Sequence, residues 1–340
     1  MLQQFLGWYN GLTDGLLGSL LLFAVGVILL TKGGDWFVDS SVGIAKKFNV
    51  PEIIIGATVV SIGTTLPEVM VSVTAAMNDN GAIAYGNAIG SIICNTALIA
   101  ALTIAIRPGS INRKSAVTPV IFFFISAAIY MVAAYIFGCF DRWLGIVMLV
   151  VFAIYMATTI YKGFKNPAQQ EPEEDAQNES LLKNLIVLII SSALIAVGAD
   201  MLEGSSVSMA TMAGIPTEVV GVTVVALCTS IPELVTAITA LVKGHAALSF
   251  GNIIGANIFN LVLVSGAAVT ISPFEIPDGS KLFGYNTSQL IEIPLMVTVM
   301  ALMTLPALFK GKLRRWQGVT LLGIYGAFVA LQVLVALHIL

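Results

Sequence analysis

Gly56-Ala57-Thr58-Val59-Val60-Ser61-Ile62-Gly63-Thr64-Thr65-Leu66-Pro67-Glu68 and Gly221-Val222-Thr223-Val224-Val225-Ala226-Leu227-Cys228-Thr229-Ser230-Ile231-Pro232-Glu233 are two copies of one motif. Each is followed by a second block: Gly86-Asn87-Ala88-Ile89-Gly90-Ser91-Ile92-Ile93-Cys94-Asn95 in the first copy, Gly251-Asn252-Ile253-Ile254-Gly255-Ala256-Asn257-Ile258-Phe259-Asn260 in the other. The offset is 165 residues throughout, with no gap. It already holds upstream, at Gly33/Gly198, Asp35/Asp200, Ser40/Ser205, Ser41/Ser206 and Pro51/Pro216. Each copy sets a carboxylate beside a proline in the middle of an apolar segment. Acids within a membrane are costly, so they are functional candidates by default.

The surrounding composition makes that setting a membrane. Of the 340 residues, 57% are hydrophobic and 10% charged, and the mean hydropathy is +0.94. A soluble domain carries about 25% charged residues. Apolar runs of about 20 residues, each long enough to span a bilayer, recur along the whole chain. The net charge of −3 gives no reason to expect a nucleic-acid partner. Cys94, Cys139 and Cys228 lack metal-site spacing, and two of them fall in apolar segments, so no disulfide framework is expected. The start, Met1-Leu2-Gln3-Gln4, has no basic region or cleavage site, so the first apolar run is read as a retained helix.

Ten spans are predicted, near 16–38, 50–77, 82–106, 116–137, 142–161, 184–207, 216–242, 245–271, 290–309 and 316–338. The fold class is therefore an all-α membrane protein. Residues 165–183 form an acidic, Pro/Gln/Glu/Asn-rich linker between two halves, 1–164 and 184–340. Five spans separate the motif copies. Five is odd, so the second copy crosses the membrane in the opposite sense: two inverted five-helix repeats, as in many secondary transporters. With the termini outside, the inner loops hold Lys46, Lys47, Arg107, Arg113, Lys114, Lys162, Lys165, Lys183, Lys243, Lys310, Lys312, Arg314 and Arg315, and the outer loops only Arg142 and Lys281. Lys/Arg bias sets orientation, so both termini are expected outside a cell (inner or plasma) membrane and the linker in the cytoplasm.

The motif supplies the chemistry. Pro67 and Pro232 have no N–H, so each frees a carbonyl in the preceding turn, near Ser61–Thr64 and Ala226–Thr229. Free carbonyls at this depth must line a cavity or bind something. Hydroxyls stand beside them at Thr64, Thr65, Thr229 and Ser230, and further side-chain oxygens at Ser91, Asn95 and Asn260. Gly86, Gly90, Gly251 and Gly255 are read as close-packing positions. A set of oxygens without histidine or paired thiolates suits hard cations such as Ca²⁺, Na⁺ and Mg²⁺. Two buried carboxylates facing each other need a cation or protons to neutralise them. Asp35/Asp200, placed near helix ends, are read as structural, and Asn87/Asn252 as hydrogen-bonding groups between helices.

At these residues the chain resembles the calcium/cation antiporter superfamily, and within it the prokaryotic sodium/calcium exchangers. The matching signatures are Gly63-Thr64-Thr65-Leu66-Pro67-Glu68 with Gly86 to Asn95, and Cys228 to Glu233 with Gly251 to Asn260. The resemblance implies Glu68 and Glu233 as central Ca²⁺ ligands, with the carbonyls of Thr64 and Thr229. It implies one flanking Na⁺ site from Thr65, Ser91 and the Ser61 carbonyl, and another from the Ala226 carbonyl, Thr229 and Ser230. Asn95 and Asn260 would line the middle. Cys228 replaces the motif glycine, and Ala256 replaces a serine and removes a possible ligand. Asn260 stands where potassium-dependent relatives carry Asp, which argues against K⁺ cotransport. The function implied is Na⁺/Ca²⁺ antiport by alternating access. The alternative is Ca²⁺/H⁺ antiport with the same glutamates as proton sites; a cation channel is third, and the inverted repeat argues against it. The expected partners are Ca²⁺, Na⁺ (H⁺ in the alternative) and the lipid bilayer, with a monomer as the unit. No enzymatic role and no cofactor are expected.

Overall fold

The computed structural model describes residues 15–165, 180–213, 230–277, 281–282 and 285–336. Its helices are α1 (Leu16–Lys47), α2 (Glu52–Met77), α3 (Gly81–Ile106), α4 (Arg113–Phe137) and α5 (Arg142–Lys165). They continue as α6 (Leu181–Met212), α7 (Ile231–Val242), α8 (Ala246–Ile271), α9 (Ser288–Lys310) and α10 (Arg315–Ala336). Among the described residues, nine helices are long and apolar enough to cross a membrane. α7 is described only from Ile231, and the first part of its predicted span, 216–229, lies outside the described residues. The chain is an all-α, multi-pass membrane protein.

Short connections put alternate helix ends on two faces. On one face the bridge Ser110↔Lys312 joins the α3–α4 and α9–α10 connections, and Arg107 donates to the Leu241 carbonyl at 3.1 Å. Most of the Lys and Arg residues collect here, and it is called the basic face below. On the opposite face a short ribbon pairs β1 (Cys139–Phe140) with β2 (Phe274–Glu275), and Ser272 donates to Asp79 Oδ1 at 3.0 Å.

α8 runs through the centre, with 83% of its apolar window buried against 11% for α10. Between helices in lipid, small residues allow the close approach that apolar side chains alone do not drive. α8 illustrates this: a Cβ on Gly251 would stand 2.3 Å from the Ile53 carbonyl oxygen, and one on Gly56 2.4 Å from that of Leu248. α1 and α6 meet in the same way, where a Cβ on Gly26 would lie 2.9 Å from the Gly198 carbonyl oxygen.

Four expectations need correction. α1 does not end near 38 but runs to Lys47, and α6 runs past 207 to Met212. Their polar residues stay helical because each hydroxyl serves the helix's own backbone: Ser40 donates to Trp36 O, Ser41 to Phe37 O and Ser205 to Met201 O. Asp35 therefore lies well inside α1, not near its end. Gly86 and Gly90 do not make the tight contacts of Gly251 and Gly255; among the described residues nothing lies within 4 Å of a Cβ built on either. Gly86 is exposed. The two repeats are thus packed differently around equivalent glycines.

Candidate cation site

Ser61, Thr64, Thr65 and Glu68 follow one another along α2 at spacings that share a helix face, and none is more than 2% exposed. α2 continues as a helix through Pro67. In the second copy Pro232 takes a first-turn position in α7, where a missing N–H costs least. Ser230 precedes that turn, and Glu233 lies within it. Both are fully buried.

Hydrogen bonds join the copies. Thr65 Oγ1 donates to Glu233 Oε1 at 3.5 Å. Thr64 Oγ1 donates to Asn252 Oδ1 at 3.3 Å. Ser61 Oγ is within 2.8 Å of Gly56 O and 3.0 Å of Asn252 O. Asn252 also donates to Thr236 Oγ1 at 3.1 Å, and Asn87 donates to Glu68 O at 3.1 Å and Ser72 Oγ at 2.8 Å. Each amide ties a glutamate-bearing helix to its neighbour, as the interhelical reading expected.

Many of the buried polar atoms left without a partner belong to the predicted site residues. Both Glu68 carboxylate oxygens, Glu233 Oε2, Ser91 Oγ and Ser230 Oγ are buried without a hydrogen-bond partner among the described residues. So are both amide atoms of Asn95 and of Asn260. Buried polar atoms are nearly always paired, and each unpaired one is costly. Nine such atoms, on α2, α3, α8 and the start of α7, lie within an apolar bundle, and the Thr65–Glu233 hydrogen bond brings the α2 and α7 members together. Their donor set, two carboxylates with hydroxyl and amide oxygens, fits a hard cation as substrate. Thr229 and Ala226 lie outside the described residues.

Two features were not read from the sequence. Asn95 and Asn260 each open a π-helical turn, Asn95–Ala100 and Asn260–Val264. Such turns recur at functional sites. Glu292, inside α9, is a further carboxylate within a span; it accepts from Gln332 Nε2 at 2.9 Å. Its signal was present, since an acid within a predicted apolar run is itself a flag.

The two ends of α2 are packed differently. On the basic face α8 lies against α2, with Gly251 and Gly255 in backbone contact with Ile53 and Ala57. Toward the opposite face an open groove of about 450 Å³ is lined by Met70, Val71, Thr74 and Ala75 of α2 with Asn78, Asn80 and Ile83.

A family model described as sodium/calcium exchanger protein matches residues 18–161 and 183–334. An uncharacterised membrane protein of Methanocaldococcus jannaschii is 34% identical over 89% of this chain and 94% of its own length. The sodium/calcium exchanger MaX1 of Methanosarcina acetivorans is 30% identical over 92% of this chain and 97% of its own. A solved structure of the sodium-calcium exchanger NCX_Mj, soaked with Na⁺ and Sr²⁺, superposes with a TM-score of 0.78 at 30% identity, covering 93% of this chain and 99% of that one.

Proposed function

The chain belongs to the sodium/calcium exchanger protein family, and from that premise we propose that it exchanges Na⁺ for Ca²⁺ across its membrane through one chamber built by both repeats. The carrying observation is the set of buried polar atoms on Glu68, Glu233, Ser91, Ser230, Asn95 and Asn260 that have no partner among the described residues. Glu68 and Glu233 hold the divalent ion, and their two formal charges match either one Ca²⁺ or two Na⁺. The carbonyls of Thr64 and Thr229 complete the central site. Thr65, Ser91 and the Ser61 carbonyl take one Na⁺. The Ala226 carbonyl, Thr229 and Ser230 take the other. Asn95 and Asn260 line the middle.

The units of alternation are the two repeats, 1–164 and 184–340, joined by the segment between α5 and α6. Both termini and the groove face outside a plasma membrane, and the basic face is cytoplasmic. The contact of α8 with α2 then closes the inner side while the outer side stays open. Uptake of ⁴⁵Ca²⁺ into proteoliposomes under an outward Na⁺ gradient tests the reading, with an imposed pH gradient as the parallel arm. Uptake driven by Na⁺ and not by pH is expected. Uptake driven by pH alone would replace Na⁺ with H⁺.

A further inference from the structure

The two closures of an inverted-repeat carrier exchange the roles of residues 165 apart, so a tie that seals one face has a counterpart that must serve the other. On the basic face Lys243, at the end of α7, binds α1: its Nζ lies 2.7 Å from Asp39 Oδ1, 3.0 Å from Asp35 O and 3.6 Å from Asp35 Oδ1. Beneath this tie a Cβ on Gly34 of α1 would stand 2.6 Å from Val235 Cγ1 of α7. A second tie joins His245, at the start of α8, to Glu52 of α2, Nδ1 to Oε1 at 2.8 Å.

At the 165-residue offset Lys243 becomes Asn78, Asp39 becomes Gly204, His245 becomes Asn80 and Glu52 becomes Thr217. Of these four positions none carries a charge. Only Asp35 keeps its acid, as Asp200. Asn78 and Asn80 line the open groove.

We propose that Lys243 with Asp35 and Asp39 positions α7, and hence Glu233, for transport: the tie forms when the basic face is closed, and no charged equivalent can form when the opposite face is closed. The two access states then differ in energy, and the carrier at rest favours the state open away from the basic face. The inference rests on the proposed alternation, and its test does not require transport.

Single reporter cysteines at Thr74 and at its counterpart Thr239 are labelled in purified protein in nanodiscs, where both faces meet the reagent, after Cys94, Cys139 and Cys228 are replaced. In the parent Thr74→Cys labels faster than Thr239→Cys. Lys243→Asn, which copies the counterpart residue, lowers the ratio of the two rates by about two- to fivefold, the range for a solvent-exposed ion pair. Lys243→Arg restores it. Added salt lowers the parent ratio and leaves that of Lys243→Asn unchanged, because exposed charges are screened. An unchanged ratio in Lys243→Asn, or a loss of thermal stability without a change in ratio, overturns the proposal. A changed ratio in a protein that shows no Na⁺-driven Ca²⁺ uptake keeps the positioning role and removes the transport reading instead.

Discussion

Glu68 and Glu233 each bring a formal charge into the bundle, and among the described residues neither has a cationic side chain in salt-bridge contact. Removing one charge while keeping the shape isolates that charge. Glu68→Gln and Glu233→Gln are expected to abolish ⁴⁵Ca²⁺ exchange in proteoliposomes while the purified proteins stay monodisperse and thermally stable. Near-normal uptake by either would refute the central assignment. Ala256 tests the flanking sites. It is fully buried, and its counterpart Ser91 carries one of the unpartnered hydroxyls. Ala256→Ser is expected to lower the Na⁺ concentration for half-maximal exchange severalfold, since a net polar ligand is worth on the order of 1 kcal/mol. Ca²⁺ affinity should change little, because the carboxylates dominate it. Separate Na⁺ and Ca²⁺ titrations decide; an unchanged Na⁺ midpoint means that the gap is already filled. The oxygens of the chamber were legible in the sequence because polar residues stand out against an apolar background. The role of Asn252 was less so. Its oxygen receives Thr64 from another repeat, and which helices cross is not a local property of the sequence.

At the scale of helices the glycine contacts carry the argument. Gly251 presses on Ile53 while its counterpart Gly86 is exposed. Gly251→Ala is expected to lower unfolding stability by about 1–3 kcal/mol, as overpacking does, read as the midpoint of thermal unfolding. Gly86→Ala should leave that midpoint unchanged and still slow exchange, because closure of the other face would bring the new methyl group into contact. Full-speed exchange by Gly86→Ala would show that α3 does not close as α8 does. Helix existence was legible here, but helix ends were not. Hydropathy falls at Asp35, Asp39, Ser40 and Ser41, yet those hydroxyls bond to their own helix and α1 continues. The π turns at Asn95 and Asn260 left no trace, because an extra residue per turn does not alter the apolar pattern of a helix buried on most sides.

For the molecule as a whole, the offset of 165 residues makes the inverted repeats legible in the sequence itself. What it could not convey is which face is closed, since one sequence serves both states. Orientation has its own test. Cysteines at Asn80 and Gly279 are expected to react with an impermeant thiol reagent added to intact cells, and one at Gln170 is not, with Cys139 removed beforehand. The reverse pattern would turn the protein over and place the groove on the cytoplasmic side.

The inversion also constrains how such a chain is made. Equivalent positions of the two repeats emerge on opposite sides of the membrane, and insertion is steered by where Lys and Arg fall. A basic residue kept in both copies would give the insertion machinery contradictory instructions. At the 165-residue offset, none of the 16 Lys and Arg residues has a basic counterpart. Lys243 opposite Asn78 is one instance of that rule. The duplicated halves of such a gene were therefore free to keep their glutamates and glycines alike but had to diverge in their loops. Whatever biogenesis demanded of those loops, the working protein inherits as unlike gates.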